Sequence, residues 1–328
     1  MPRPFPFPID LVYTWVDPSD TKWRQERDVW IERDSQNHAV DASGNNHYAD
    51  HDELRYSLRS VAKNLPWIRN IHIVVHGRQR PSWIADHPAI RFVSHQTVFK
   101  NSDHLPTFNA MAIGCHLDRI PDLADHYLNS NDDCFFCRPI TPDQFFLEDG
   151  TPRIAFWKVG RFLRRYLRVD SGEPSPEKGG FANCCINTNR VLNQLYGEAR
   201  RPIIRHHAVA LKNGMLLEVE RRFPKEFETT SRSRFRSIDE ISPIGLALYM
   251  AYYEKRAVAS EGGLSMAFIP LYDDEKANET LLKRARRARP HLVCLNDDTT
   301  EKGAERAVEQ MHGFLEELFP EPCQYEAG

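Results

Sequence analysis

The run Leu128-Asn129-Ser130-Asn131-Asp132-Asp133 puts two adjacent carboxylates, with an amide beside them, at the end of an extended segment. The residues that follow, Cys134-Phe135-Phe136 and then Arg138-Pro139, read as a return into apolar packing. Neighbouring acids at a strand end suit the holding of Mg²⁺ or Mn²⁺. These hard ions take oxygen ligands and keep several waters, so one or two carboxylates and a bound phosphate complete the shell. The plainer alternative is that Asp132 and Asp133 cap a loop or the next helix. Late in the chain Leu295-Asn296-Asp297-Asp298 repeats the Asn-Asp-Asp ending, which makes Asp297 a further candidate ligand.

A second polar cluster is His206-His207, preceded by Arg201 and Arg205 and followed by Arg234 and Arg236. A neutral imidazole near pH 7 takes a proton from an attacking hydroxyl. Arginine offers a fork of donors matched to phosphoryl oxygens and keeps its charge. With a carboxylate-held cation, these are the parts of a site that positions a phosphoryl group and neutralises it. Against that, a single histidine near a helix start is more often a hydrogen-bonded structural residue. Arg55 and Arg59 lie four apart on one face of an expected helix, where both can approach a phosphate; a solvated basic face is the alternative. Asp17 and Asp20 follow the first expected strand, at a place where α/β sheets bind ligands or where an Asx-type turn forms. No Walker A, Gly-x-Ser-x-Gly or His-Glu-x-x-His pattern occurs, which disfavours three common enzyme classes.

The elements that must position these residues follow from periodicity. Ile9–Val16, Asn70–Gly77 and Ile90–His95 read as strands, with a helix over Asp52–Val61 between the first two. A further helix runs from Leu105 through Leu117, ahead of the acidic strand end. Strand, helix, strand, connector, strand is the rhythm of a mostly parallel, doubly wound, Rossmann-like α/β sheet. The stretch 151–260 is mostly helical: a basic segment with Arg161, Arg164, Arg165 and Arg168, then helices over Asn183–Tyr196, from Leu211 to near Phe223-Pro224, and over Ile241–Tyr253. Ile154–Trp157 is a candidate strand, and 41–46 and 171–180 read as loops. Phe268–Leu271 and His291–Leu295 close the chain as strands, followed by an amphipathic helix over Glu305–Leu318.

With 328 residues, 41% hydrophobic and 27% charged, the chain buries a full core. A net charge of -3 argues against nucleic acid as a partner. No apolar run reaches the ~20 residues of a membrane span, and the proline-broken start has no signal-peptide core. Seven cysteines without a paired CxxC set fit reduced thiols in a cytoplasm.

Four ordered blocks resemble the Stealth family of sugar-1-phosphate transferases. The first is Ile9–Asp17. The second runs from Asp52-Glu53-Leu54-Arg55-Tyr56 through Pro66-Trp67-Ile68-Arg69, Pro81-Ser82-Trp83 and His104-Leu105-Pro106-Thr107-Phe108-Asn109 to Asn131-Asp132-Asp133. The third holds His206 and Phe223-Pro224 to Arg236, and the fourth is Cys294-Leu295-Asn296-Asp297-Asp298. The resemblance implies a fold like that of GT-A nucleotide-sugar transferases, in one catalytic domain. Residues 1–150 would hold nucleotide-sugar and metal, 151–260 the acceptor and catalytic groups, and 261–328 the closing strands. It further implies transfer of a hexose-1-phosphate from a UDP-sugar, UDP-N-acetylglucosamine in particular, to a glycan hydroxyl with release of UMP. Asp133 with Asp132 matches the essential acidic pair and the Mg²⁺ or Mn²⁺ site, His206 the base and Arg236 the phosphate-binding arginine. Asp17, Arg55, Arg59, Asn131 and Arg234 are assigned to substrate contacts. Two departures stand out. His207-Ala208-Val209 replaces a common proline, which leaves His207 as an alternative base, and Cys323 stands where serine is expected. The implied setting is a bacterial cytoplasm, with a homo-oligomer left open. An ordinary glycosyltransferase releasing UDP and a non-catalytic nucleotide-sugar-binding module are the competing readings.

Overall fold

The computed structural model describes residues 5–33, 39, 48–157, 172–260, 263–300 and 303–327. The basic segment with Arg161, Arg164, Arg165 and Arg168, the loop expected at 41–46 and Ser171 lie outside them.

β1 (Ile9–Trp15) is central to the main sheet, its branched and aromatic side chains buried on both faces as in a parallel strand covered by helices. β2 (Ile68–Val75) and β4 (His126–Ser130) flank it, both parallel. β3 (Ile90–Ser94) extends the parallel pairing beyond β2, and β7 (Val209–Lys212) closes the far edge antiparallel to β4. The order β3-β2-β1-β4-β7 reverses direction between β1 and β4. Their carboxyl ends therefore flank a topological switch point, where open α/β sheets hold ligands. The α/β class and mostly parallel sheet are those the sequence pattern predicts.

The connection from β1 to β2 carries α1 (Thr21–Arg33) and α2 (Glu53–Asn64). Leu54, Leu58 and Val61 of α2 are fully buried, as their spacing requires. Between β3 and β4 the chain makes α3 (His95–Val98), α4 (Ala110–Gly114) and two 3-10 turns at Ser102–His104 and Leu117–Arg119 instead of one longer helix from Leu105. Asn109 delays that helix by capping it, its Oδ1 accepting from Met111 N at 3.0 Å.

A second sheet joins β5 (Cys134–Phe136), β10 (Leu292–Asp297) and β9 (Met266–Leu271), under α9 (Glu275–Ala288) and α10 (Ala304–Leu318). β6 (Arg153–Ile154) and β8 (Val258–Ala259) form a short parallel pair. The second half also contributes α5 (Gly180–Tyr196), α6 (Met215–Arg222), α7 (Pro224–Arg232) and α8 (Pro243–Tyr253), which bury Leu192, Val219, Phe227 and Leu246 in one core with Val12 of β1. The sequence pattern predicts a helix from Leu211 to near Phe223-Pro224, yet Val209–Lys212 is strand. Gly214, at a φ of 98°, turns the chain before α6 begins. The three sequence segments interlock, because β7 completes the first sheet and β5 the second. Among the described residues no helix is long and apolar enough to cross a membrane.

Candidate active site

Asn131-Asp132-Asp133 makes the turn from β4 into β5, so Asp133 stands at the seam between the two sheets. Its carbonyl accepts from Leu295 N at 3.0 Å, and the next residue, Cys134, is the register partner of Cys294 on β10. That pairing brings Cys294 Sγ to 3.3 Å from Asp133 Oδ2, while Cys134 Sγ lies 3.5 Å from Oδ1. His206 arrives from the other direction. Residues 203–205 ladder with 155–157, through Trp157 N to Ile203 O and Arg205 N to Ala155 O, both 2.9 Å. The chain then bends, and His206 Nε2 comes within 4.0 Å of Asp133 Oδ2 and 3.2 Å of Asn131 Nδ2. The amide N–H₂ donates, which leaves the lone pair of the imidazole on Nε2. The His206 side chain is 43% exposed and open to a substrate. His207 turns inward: Nδ1 meets the Ala208 carbonyl, Nε2 is buried without a partner among the described residues, and burial takes its pKa down to about 4. Of the two histidines, it is His206 that faces the carboxylate.

Asp132, whose Oδ1 accepts from Asp133 N at 3.1 Å, also feels a further group of acids. Asp50 and His51 come from the loop that enters α2 and Glu53 from its first turn, with Trp15 Nε1 donating to Asp50 Oδ2 at 3.0 Å. Burial first, then the charges of Glu53, Asp133 and Asp50, push the Asp132 carboxyl well above the usual range. Burial likewise lifts Glu53 to about 7, against the pull of His51. Asp297 joins through His51 Nε2, 3.6 Å from its Oδ2, and its Oδ1 accepts from Thr299 N and Oγ1 at 2.9 and 2.7 Å. Burial works against the Asp297 charge, yet these bonds hold its pKa low. The described ion pairs give Asp132 no Arg or Lys partner. Carboxylates gathered with so little positive charge are the kind of oxygen donors that a divalent cation takes. Asp297, already engaged by His51 and Thr299, lies at the edge of that group.

The other expected contacts have neighbours of their own. Arg55 and Arg59 do share one face of α2, but both are taken by Glu326. Arg55 Nε lies 2.7 Å from its Oε2, and Arg59 binds both oxygens at 2.7 and 2.9 Å. Asp17 folds into the turn that was its alternative, Oδ1 accepting from Ser19 N and Oγ at 2.8 and 2.6 Å. Arg234 stacks on Trp30 at 3.9 Å and donates to the Asp103 carbonyl at 2.7 Å. Arg236 packs against α5 at Gly180, where an added Cβ would come within 2.8 Å of its own Cβ. Among the described residues neither arginine is bonded to Asp133 or His206.

The sequence reading missed Asp50, His51 and Glu53 as site groups, and Cys294 as a neighbour of Asp133. Their only signal was acid density before a helix and a cysteine two residues ahead of Asn296-Asp297-Asp298.

An α/β sheet that gathers acids, an amide and an imidazole at its switch point belongs to the ligand-binding, doubly wound class. More particularly, this chain belongs to the Stealth family. It matches Stealth conserved region 1 at residues 7–32, region 2 at 47–154, region 3 at 205–253 and region 4 at 283–328. It is 38% identical over 99% of its length to the exopolysaccharide phosphotransferase SCO6023 of Streptomyces coelicolor, covering 53% of that protein. It is 36% identical over 98% of its length to the exopolysaccharide phosphotransferase CpsY of Mycobacterium leprae, covering 57%. The chain thus spans about half the length of these relatives. It is also similar to the crystal structure of the galactosyltransferase LgtC in complex with donor and acceptor sugar analogues, at 9% identity and a TM-score of 0.41, covering 94% of this chain and 96% of that one.

Proposed function

We propose that this chain transfers a hexose-1-phosphate, N-acetylhexosamine-1-phosphate in the first instance, from a UDP-sugar to a hydroxyl of an acceptor glycan, forming a phosphodiester and releasing UMP. The observation that carries the reading is the approach of His206 Nε2 to Asp133 Oδ2, 4.0 Å apart at the open carboxyl end of the sheet, with Asn131 beside them. Membership of a family whose similar proteins are named exopolysaccharide phosphotransferases supports the direction of the chemistry. A bacterial cytoplasmic setting belongs to the same proposal.

In this reading the acceptor hydroxyl binds against His206 and gives its proton to Nε2 as its oxygen attacks the phosphorus bearing the sugar. The Asn131 amide, 3.2 Å from Nε2, holds the lone pair on that nitrogen until the acceptor hydroxyl takes its place, and Asp133 stabilises the imidazolium that forms. Asp132 and Asp133 would hold Mg²⁺ or Mn²⁺, which supplies charge neutralisation on the diphosphate when bound. The reading assigns Arg236 to the transferred phosphoryl, as a fork of donors that outlasts any change of pH. The deciding experiment incubates the protein with UDP-N-acetylglucosamine, other UDP-hexoses, a glycan acceptor and either cation, and identifies the nucleotide by mass spectrometry. UMP with a phosphodiester product is expected. UDP as the by-product would make it an ordinary glycosyltransferase, and binding without turnover a non-catalytic module.

A further inference from the structure

A hard cation on Asp132 and Asp133 needs only oxygen, yet the structure sets sulfur and nitrogen against the same carboxylate. We propose that Asp133, His206 and Cys294 form a second, thiophilic cation site, suited to Zn²⁺, whose occupancy blocks the chemistry of His206. One ligand atom from each residue lies within 4.8 Å of the other two. Within that set Cys294 Sγ is 3.3 Å and His206 Nε2 4.0 Å from Asp133 Oδ2. Zinc bond lengths of ~2.0–2.3 Å place the ligands of a tetrahedral ion about 3.3–3.7 Å apart, so the Asp133–Cys294 pair already fits and side-chain shifts of up to about 1 Å close the rest of the site.

The donors are held by structure. Leu295 N bonds the Asp133 carbonyl, and the 134–294 register pins Cys294 on β10 facing the turn. Cys294 is fully buried, while His206 is open to solvent, so the ion enters past the imidazole and meets the sulfur last. A thiolate and an imidazole select zinc over magnesium, whose preference is for oxygen alone. On binding, the Cys294 S–H bond breaks, sulfur keeps the electron pair for the Zn–S bond, and the proton leaves to solvent. Three protein ligands leave the fourth position to a water. The zinc-bound Nε2 has no lone pair left for an acceptor hydroxyl, and Asp133 is withdrawn from the hard cation. The blocking part rests on the transfer reading above; the coordination itself does not.

The test titrates the whole chain, without substrate, with Co²⁺ as a spectroscopic stand-in. Expected are visible bands of tetrahedral intensity and a near-ultraviolet sulfur-to-cobalt charge-transfer band at one equivalent, both erased by one equivalent of Zn²⁺ but not by excess Mg²⁺. Cys294→Ser should lose the charge-transfer band, and Cys134→Ser should keep it. His206→Ala should retain the band with at least tenfold weaker binding, and it carries the test if Cys294→Ser does not fold. Absence of the sulfur band, its survival in Cys294→Ser, or unchanged affinity in His206→Ala would each overturn the site. In the UMP-release assay, equimolar Zn²⁺ should stop turnover supported by Mg²⁺, and a chelator should restore it; turnover unaffected by bound Zn²⁺ would overturn the blocking. A protein that never releases UMP leaves the cobalt result standing, so the two readings fail separately.

Discussion

His206 and His207 are one position apart and differ in every neighbour. The first shares Asp133 and Asn131 with open solvent; the second has its Nε2 buried and its charged form disfavoured. If His206 takes the proton, His206→Ala should lower kcat by at least ~10²-fold with unchanged circular dichroism. Replacing His207 by glutamine, which keeps a polar side chain beside the Ala208 carbonyl, should then stay within a few-fold of the parent; the reverse ranking would move the base to His207. A second residue-scale expectation concerns the like charges around Asp132. Glu53→Gln removes one half-buried carboxylate from that group, so the cation-free protein should melt higher, and added Mg²⁺ should raise its melting temperature less than the parent's. Asp133 and His206 were legible in the sequence because short blocks carry them. Glu53 and Cys294 were not, because their weight comes from neighbours 79 and 161 residues away (132 less 53, 294 less 133), which no local spacing encodes.

Periodicity correctly put Arg55 and Arg59 on one face of α2, but it could not say what that face meets. The partner is Glu326, 2% exposed, whose carboxyl the two arginines hold down to about 2 even though burial opposes its charge. Glu326→Gln leaves Arg59, itself 7% exposed, without its counter-charge. The expected loss is about 3 kcal/mol in chemical denaturation. A loss under 1 kcal/mol would mean that the pair is solvated and that the arginines are free to serve a ligand. The β7 stretch shows the opposite failure of pattern. Leu211, Met215, Leu216 and Val219 match a helical period, but Gly214 breaks the run, and pairing with β4 decides the conformation of Val209–Lys212.

At the scale of the molecule the sheet is fixed at its amino end, and the candidate site lies at the other. Asp10, fully buried on β1, accepts from Arg69 Nε and Nη2 at 2.8 and 2.7 Å, from Ala124 N at 2.9 Å and sits 3.1 Å from His72 Nε2. Burial alone would raise its pKa, but these partners bring it from 3.8 to about 2. A depressed carboxylate stabilises the fold above its unfolded pKa and loses that contribution as pH falls through the folded one. Stability should therefore drop by about 2 kcal/mol between pH ~5 and ~2 from this residue. Asp10→Asn should be less stable at pH 7 and flatter in that window, as read by urea denaturation at each pH. The parallel sheet itself was readable from β-branched runs, whereas the β5–β10 pairing that carries Asp133 was not, since it joins a three-residue strand to one far along the chain. That pairing sets a timetable during synthesis. β10 leaves the ribosome after both Asp133 and His206, so the turn that bears Asp133 gains its anchor last.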